Sequence, residues 1–215
     1  MTGVQTCALP ILNSGEGGLI TSDNAEFMAR AIILSGSYML YERHGAAPEA
    51  EVFTDIRLQT PNYSGRMDNL RAAILRPQLN SLEENIKRWN KRYQIVEQKL
   101  QKVTGIVLPE RPDEEHYVGS SIQFRIPGIS HTKAAKFIEV NKQLGVEIKW
   151  FGSDEPTGFT SNHKSWKYFE RQNLENSDTI LAGLFDLRLP LTFSLDDCSL
   201  LADIISECVQ QLHAY

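Results

Sequence analysis

Apolar residues recur every three or four positions from Leu75 onward: Leu75, Leu79, Leu82, Ile86, Trp89, Tyr93, Val96, Leu100 and Val103. Side chains at that spacing share one face of a helix, so the pattern predicts a long amphipathic helix ended by Gly105. Pro77 lies near its start. A proline there removes one backbone donor and crowds the carbonyl of Ala73, which predicts a kink or a break. Upstream the signals are shorter. Leu19, Ile20 and Thr21 read as a buried strand. A helix over 24–34 follows, with Asp23 as N-cap, Glu26 as its capping-box partner, and Ser35-Gly36 as its stop. Residues 36–66 show no period. So long a stretch inside a compact chain is usually functional or disordered. Its Tyr38, Tyr41, Arg43, His44, Tyr63 and Arg66 favour function.

Beyond Gly105, strand and helix patterns alternate as in an α+β domain. Ile106-Val107-Leu108 starts a strand that Pro109 stops. Residues 121–126 alternate through Ile122, Phe124 and Ile126, a half-buried strand. A helix over 131–144 is begun by Ser130 and ended by Gly145. Strands are predicted at 146–151 and 184–191, with a polar, turn-rich loop at 152–162. Ser194, with Asp197 three residues on, caps a last helix whose core face is Cys198, Leu201, Ile205, Cys208 and Leu212. The expected organisation is a leader at 1–12, the end of a large domain at 13–75, a linking helix at 76–104 and a small α+β domain at 105–215.

Composition narrows the function classes. The 215 residues are 41% hydrophobic and 23% charged, ordinary for a soluble globular protein. A net charge of -5 lacks the basic excess a general nucleic-acid binder needs. No apolar run approaches the roughly 18 residues of a membrane helix. Cys7, Cys198 and Cys208 have neither CxxC nor Cys/His metal spacing. Buried thiols in a reducing cytoplasm are the expectation, and no metal. Residues 2–11, TGVQTCALPI, match the in-frame translation of a common sequencing adapter. They are read as an artefactual leader, with a short natural leader as the alternative.

Three loops carry candidate chemistry. The Gly15–Gly18 turn, GEGG, lets the backbone take unusual angles or approach a group closely, although Glu16 would repel an anion. Arg43-His44-Gly45 offers a cation and an imidazole in an aperiodic loop. Asn62-Tyr63-Ser64-Gly65-Arg66-Met67 leads into a helix, where backbone N–H groups and Ser or Asn side chains suit an anion, or simply cap the helix. Trp150, Phe151, Phe159 and Trp166 surround a Gly-, Ser- and Asp-containing loop that would line a sugar pocket or pack the core. The histidines have no metal spacing, and neither a Ser/His/Asp order nor a carboxylate pair stands out.

In this order, GEGG with its strand and helix, then RHG, then NYSGRM, NLRAA and QL, then a long helix carrying Arg92-Tyr93, the chain resembles the DegT/StrS family of sugar aminotransferases dependent on pyridoxal 5'-phosphate (PLP). The resemblance is clear over 13–100 and looser beyond. Arg66, Met67, Ala72, Ala73, Gln78 and Leu79 match the family's most specific block. It implies an α/β architecture, a fragment of the type I fold of PLP-dependent transferases. It also implies a cytoplasmic homodimer whose active site borrows a loop from the partner. The implied chemistry passes an amino group from an amino acid, often glutamate, to a keto sugar that is often nucleotide-linked. In the family, a lysine just upstream of GEGG holds PLP as a Schiff base. Here that place falls on Pro10, and the first lysine of the chain is Lys87.

The resemblance also implies roles for residues that are present. Ser64 stands where the family has an Asn on the PLP phosphate; a shift of a residue or two gives that role to Asn62. Glu16 orders the turn beside the lysine. His44, Tyr63 and Arg66 fall on the substrate side. Two alternatives stay open: a dehydratase of the same family, in which histidine replaces the lysine, and a non-catalytic binding module built on the long helix and small domain. On this reading the 215-residue chain alone does not transaminate. An assay of the purified chain is expected to show no PLP-dependent turnover, and measurable turnover would contradict it.

Overall fold

The computed structural model describes residues 5–6, 11–15, 19–36, 41–156, 163–170 and 172–213. The chain divides into two compact units, 1–82 and 83–215.

In the first unit, β1 (Gln5–Thr6) pairs antiparallel with β2 (Ile20–Thr21). The expected buried strand is present but exposed, with Leu19 at 37% and Ile20 at 46%. A two-stranded ribbon has no second layer to cover it. Helix α1 (Ala25–Ser35) begins one residue later than predicted: Asn24, not Asp23, is the N-cap, and its Oδ1 accepts the Phe27 N–H at 2.9 Å. It stops as expected at Gly36, with φ of 127°. Two 3-10 turns, Tyr41–Arg43 and Ala50–Val52, lead into α2 (Phe53–Gln59), which the aperiodic reading of 36–66 missed. Ala29, Ile32 and Ile33 of α1 bury against Tyr41, Phe53 and Ile56. Tyr41 stacks on Phe53, with ring centroids 4.3 Å apart.

Helix α3 (Asn69–Asn80) runs through Pro77 rather than breaking there. Ala73 and Pro77 are both exposed, so solvent can serve the carbonyl that the proline cannot. The interruption falls at Ser81, and α4 (Leu82–Leu100) follows. The long helix of the sequence reading is therefore two helices. Its apolar stripe is buried at Leu75 and again from Trp89 onward, while Leu79 between them is 43% exposed.

The second unit is a three-stranded antiparallel sheet with helices on it. Its elements are β3 (Ser121–Arg125), α5 (His131–Gln143), β4 (Ile148–Trp150), α6 (Glu175–Ala182), β5 (Leu184–Arg188) and α7 (Leu195–His213). The strand order is β3-β5-β4. The register sets Phe124 opposite Phe185 and Ile122 opposite Leu187. Period-two patterning puts these four on one face, where they share a core with Tyr93, Val96 and Leu100 of α4, Phe137 of α5 and Ile205 of α7. The predicted strand at 106–108 reduces to one bridge, Val107 to Arg125. The strand predicted at 184–191 ends at Arg188, two residues before Pro190, which has no N–H for a ladder. Helix α6 was not foreseen.

Cys198 and Cys208 are buried free thiols, and burial pushes both thiol pKa values up. Among the described residues no helix is long and apolar enough to cross a membrane. The cap of α7 forms as the sequence predicts: Ser194 N–H donates to Asp197 Oδ2 at 2.7 Å, and Asp197 N–H donates to Ser194 Oγ at 3.0 Å. Replacing Ser194→Ala is expected to lower the stability of the chain by about 1 kcal/mol in urea titration. An unchanged midpoint would contradict that.

Candidate functional site

Helix α1 ends with carbonyls that no residue of its own can satisfy. Gly36 N–H serves Ile32 and Ile33. Ser35 Oγ adds a hydrogen bond to the Ile32 carbonyl at 2.8 Å. The Leu34 carbonyl accepts from the N–H of Tyr63 at 2.9 Å. That bond brings the Asn62–Arg66 loop, distant in sequence, onto the end of α1. The loop lies close enough that a Cβ added at Gly36 would sit 3.4 Å from Asn62 Oδ1, 3.4 Å from Ser64 Cα and 3.8 Å from Arg66 Cδ.

The loop is internally set as well. Asn62 Oδ1 accepts the Ser64 N–H at 2.7 Å, an Asx-type turn. Ser64 sits at φ of 53°, and among the described residues no other non-glycine takes a positive φ. That conformation costs on the order of 1 kcal/mol, and such outliers cluster at functional sites. Asn62 Oδ1 accepts the Ser64 N–H and its amide nitrogen remains a donor; Ser64 adds a hydroxyl and Arg66 a guanidinium. All three residues are exposed. Asp68 is the only carboxylate in the segment 62–71, and its Oδ2 pairs with Arg71 Nη1 at 3.0 Å. Arg66 has no ion pair among the described residues, so the loop is locally cationic. An amide, a hydroxyl and a guanidinium can all donate to a phosphate.

The structure thus joins Asn62, Ser64 and Arg66 around Gly36. Tyr63 contributes its backbone, and its side chain is 74% exposed. His44 bonds within its own turn: the Tyr41 carbonyl accepts its backbone N–H at 3.0 Å, and its Nδ1 faces the Ala46 N–H at 3.4 Å. Glu16 lies outside the described residues, as does Phe159. Trp150 is a core residue whose Nε1 donates to the Ala182 carbonyl at 2.9 Å. Among the described residues no group of three or more His, Cys, Asp or Glu is placed to hold a metal ion. Sequence reasoning missed Gly36 as part of this cluster. Its only signal was as a helix stop.

The N-terminus of α3 is not the anion seat. Asp68 caps it, with Oδ1 accepting the Arg71 N–H at 2.9 Å. That backbone bond, helped by the Arg71 charge, holds the Asp68 carboxyl below the ordinary carboxylate value. A carboxyl depressed on folding contributes stability above its unfolded pKa, and the contribution fades as pH falls through the folded pKa. NMR titration of the Asp68 carboxyl is expected to give a midpoint below about 3.9, and a midpoint at or above it would contradict the cap.

The DegT/DnrJ/EryC1/StrS aminotransferase family model matches residues 8–205. Among solved structures, the aminotransferase TlmJ from Streptoalloteichus hindustanus is similar at 18% identity and a TM-score of 0.71, over 99% of this chain and 53% of that one. 3-Amino-5-hydroxybenzoic acid synthase is similar at 18% and 0.67, over 94% of this chain and 52% of that one. DesI, determined in the presence of its TDP-sugar product, is similar at 19% and 0.66, over 95% and 49%. At such identities the likeness establishes the fold. The chain spans about half the length of these structures. No curated protein sequence matches significantly. The chain belongs to the DegT/DnrJ/EryC1/StrS aminotransferase family.

Proposed function

We propose that the chain supplies the phosphate-binding side of a PLP-dependent aminotransferase that aminates a keto sugar, probe substrates being nucleotide-linked, with glutamate as donor. The observation that carries this is the Asn62–Arg66 loop: rich in donors, locally cationic, strained at Ser64 and hydrogen-bonded to the end of α1. Aminotransferases of this family depend on PLP. When bound, the cofactor supplies the electron sink for breaking the donor's Cα–H bond.

The roles of this chain's residues follow from their chemistry. The Asn62 amide and the Ser64 hydroxyl donate to the phosphate, each hydrogen bond strengthened by the anionic acceptor. Arg66 balances anionic charge at the loop. His44 contacts a substrate oxygen, and the Tyr63 ring, exposed in this chain, lies against substrate. Glu16 orders the GEGG turn beside the anchoring amine. The first lysine of the chain is Lys87, and the anchoring amine is assigned to no residue here. The whole protein acts as a homodimer in the cytoplasm.

The test uses the whole protein with PLP, L-glutamate and a nucleotide-linked keto sugar. It is expected to release 2-oxoglutarate and the amino sugar, and Ser64→Ala is expected to weaken PLP binding roughly tenfold, the loss of one charge-assisted hydrogen bond. Loss of a sugar hydroxyl without 2-oxoglutarate release would make it the family's dehydratase instead. Unchanged PLP affinity in both Ser64→Ala and Asn62→Ala would remove the loop from the cofactor site.

A further inference from the structure

We propose that Gly36 is a positioning residue for the cofactor-phosphate loop: the C-terminal cap of α1 is the seat on which Asn62, Ser64 and Arg66 take their geometry. This rests on the reading of that loop as the phosphate cradle.

The loop's own side chains are exposed, so packing of those side chains does not fix its shape. The end of α1, in contrast, is fixed. Ile32 and Ile33, at 3% and 0% exposure, anchor its last turn in the core with Phe53 and Ile56. Two contacts pass that rigidity to the loop. One is the Tyr63 N–H on the Leu34 carbonyl, at 2.9 Å. The other is packing of Asn62 and Ser64 beside Gly36, where an added Cβ would lie 3.4 Å from Asn62 Oδ1 and from Ser64 Cα. At φ of 127° Gly36 lies where L side chains rarely go. A methyl group there is strained by that φ, whereas 3.4 Å from Asn62 Oδ1 is ordinary contact, so relief of the strain shifts the turn and with it the Leu34 carbonyl that holds the Tyr63 N–H. The strained Ser64 conformation then loses the contacts that over-determine it, and strain of this kind persists only where they exist.

The experiment compares the 215-residue chain with its Gly36→Ala and Ile56→Val variants. Ile56→Val thins the same core without touching the loop, so it controls for stability alone. Inorganic phosphate and PLP are titrated against the amide resonances of 62–66, and hydrogen exchange of the Tyr63 amide is measured in each. Both variants are expected to melt earlier. Only Gly36→Ala is expected to speed Tyr63 exchange and to weaken phosphate and PLP binding, roughly tenfold for one charge-assisted hydrogen bond lost. If Gly36→Ala binds both probes like the unaltered chain, the positioning role is overturned while the cradle survives. If the loop resonances of the unaltered chain respond to neither probe, the cradle reading fails, and Tyr63 exchange alone decides positioning. Equal exchange in Gly36→Ala and the unaltered chain overturns it; faster exchange in Gly36→Ala but not in Ile56→Val supports it.

Discussion

A helix that ends inside a folded unit leaves carbonyls that must find donors, and the end of α1 finds one in the N–H of Tyr63. That single hydrogen bond ties the least regular part of the chain to one of its best buried helices. The rest of the candidate site follows from it. Asn62 and Ser64 flank the bonded residue, Arg66 follows, and Gly36 gives them room to approach. The positive φ of Ser64 is tolerated because both sides of the turn are held.

The second unit is built on a different principle. Its sheet, α4, α5 and α7 close one apolar core in which aromatic rings do much of the filling. Phe124 stacks on Phe185 at 5.5 Å, and Phe137 meets Phe185 edge-on at 5.1 Å. Offset and edge-to-face pairs of this kind add to simple burial. Arg111 lies over the rings of Tyr117 and Tyr93, 4.2 and 5.2 Å from their centroids, and its Nη1 pairs with Glu115 at 2.9 Å. Those contacts hold the loop before β3 onto α4. His163 and Lys164 both pair with Asp178 in the first turn of α6, at 2.7 and 2.9 Å, and draw the Asp178 carboxyl below its usual range. These clusters are explained by the unit's own stability and need no ligand.

What the sequence made legible was local chemistry with a fixed spacing. Ser194 and Asp197 cap α7, Ser130 caps α5, and Gly36 and Gly145 follow α1 and α5 with positive φ, whereas α4 ends at Leu100, ahead of the Gly105 expected to stop it. Where two residues offered the same chemistry, the choice slipped: Asp23 and Asn24 both suit an N-cap, and only the backbone chooses. Pro77 warned of a break that solvent exposure made unnecessary. Helix α2 is two turns long and buries only Phe53 and Ile56, too few positions to display a period. The motif NYSGRM singled out the loop, but the glycine it packs beside is far away in sequence. No spacing rule could connect Gly36 with Ser64; only tertiary contact does.

The most direct test of the central claim is a crystal structure of the whole protein with PLP bound. The account predicts the cofactor's phosphate within hydrogen-bonding distance of the Asn62 amide or the Ser64 hydroxyl, with the Tyr63 N–H still on the Leu34 carbonyl. A phosphate held entirely by other residues, with the Asn62–Arg66 loop turned away from it, would contradict the account.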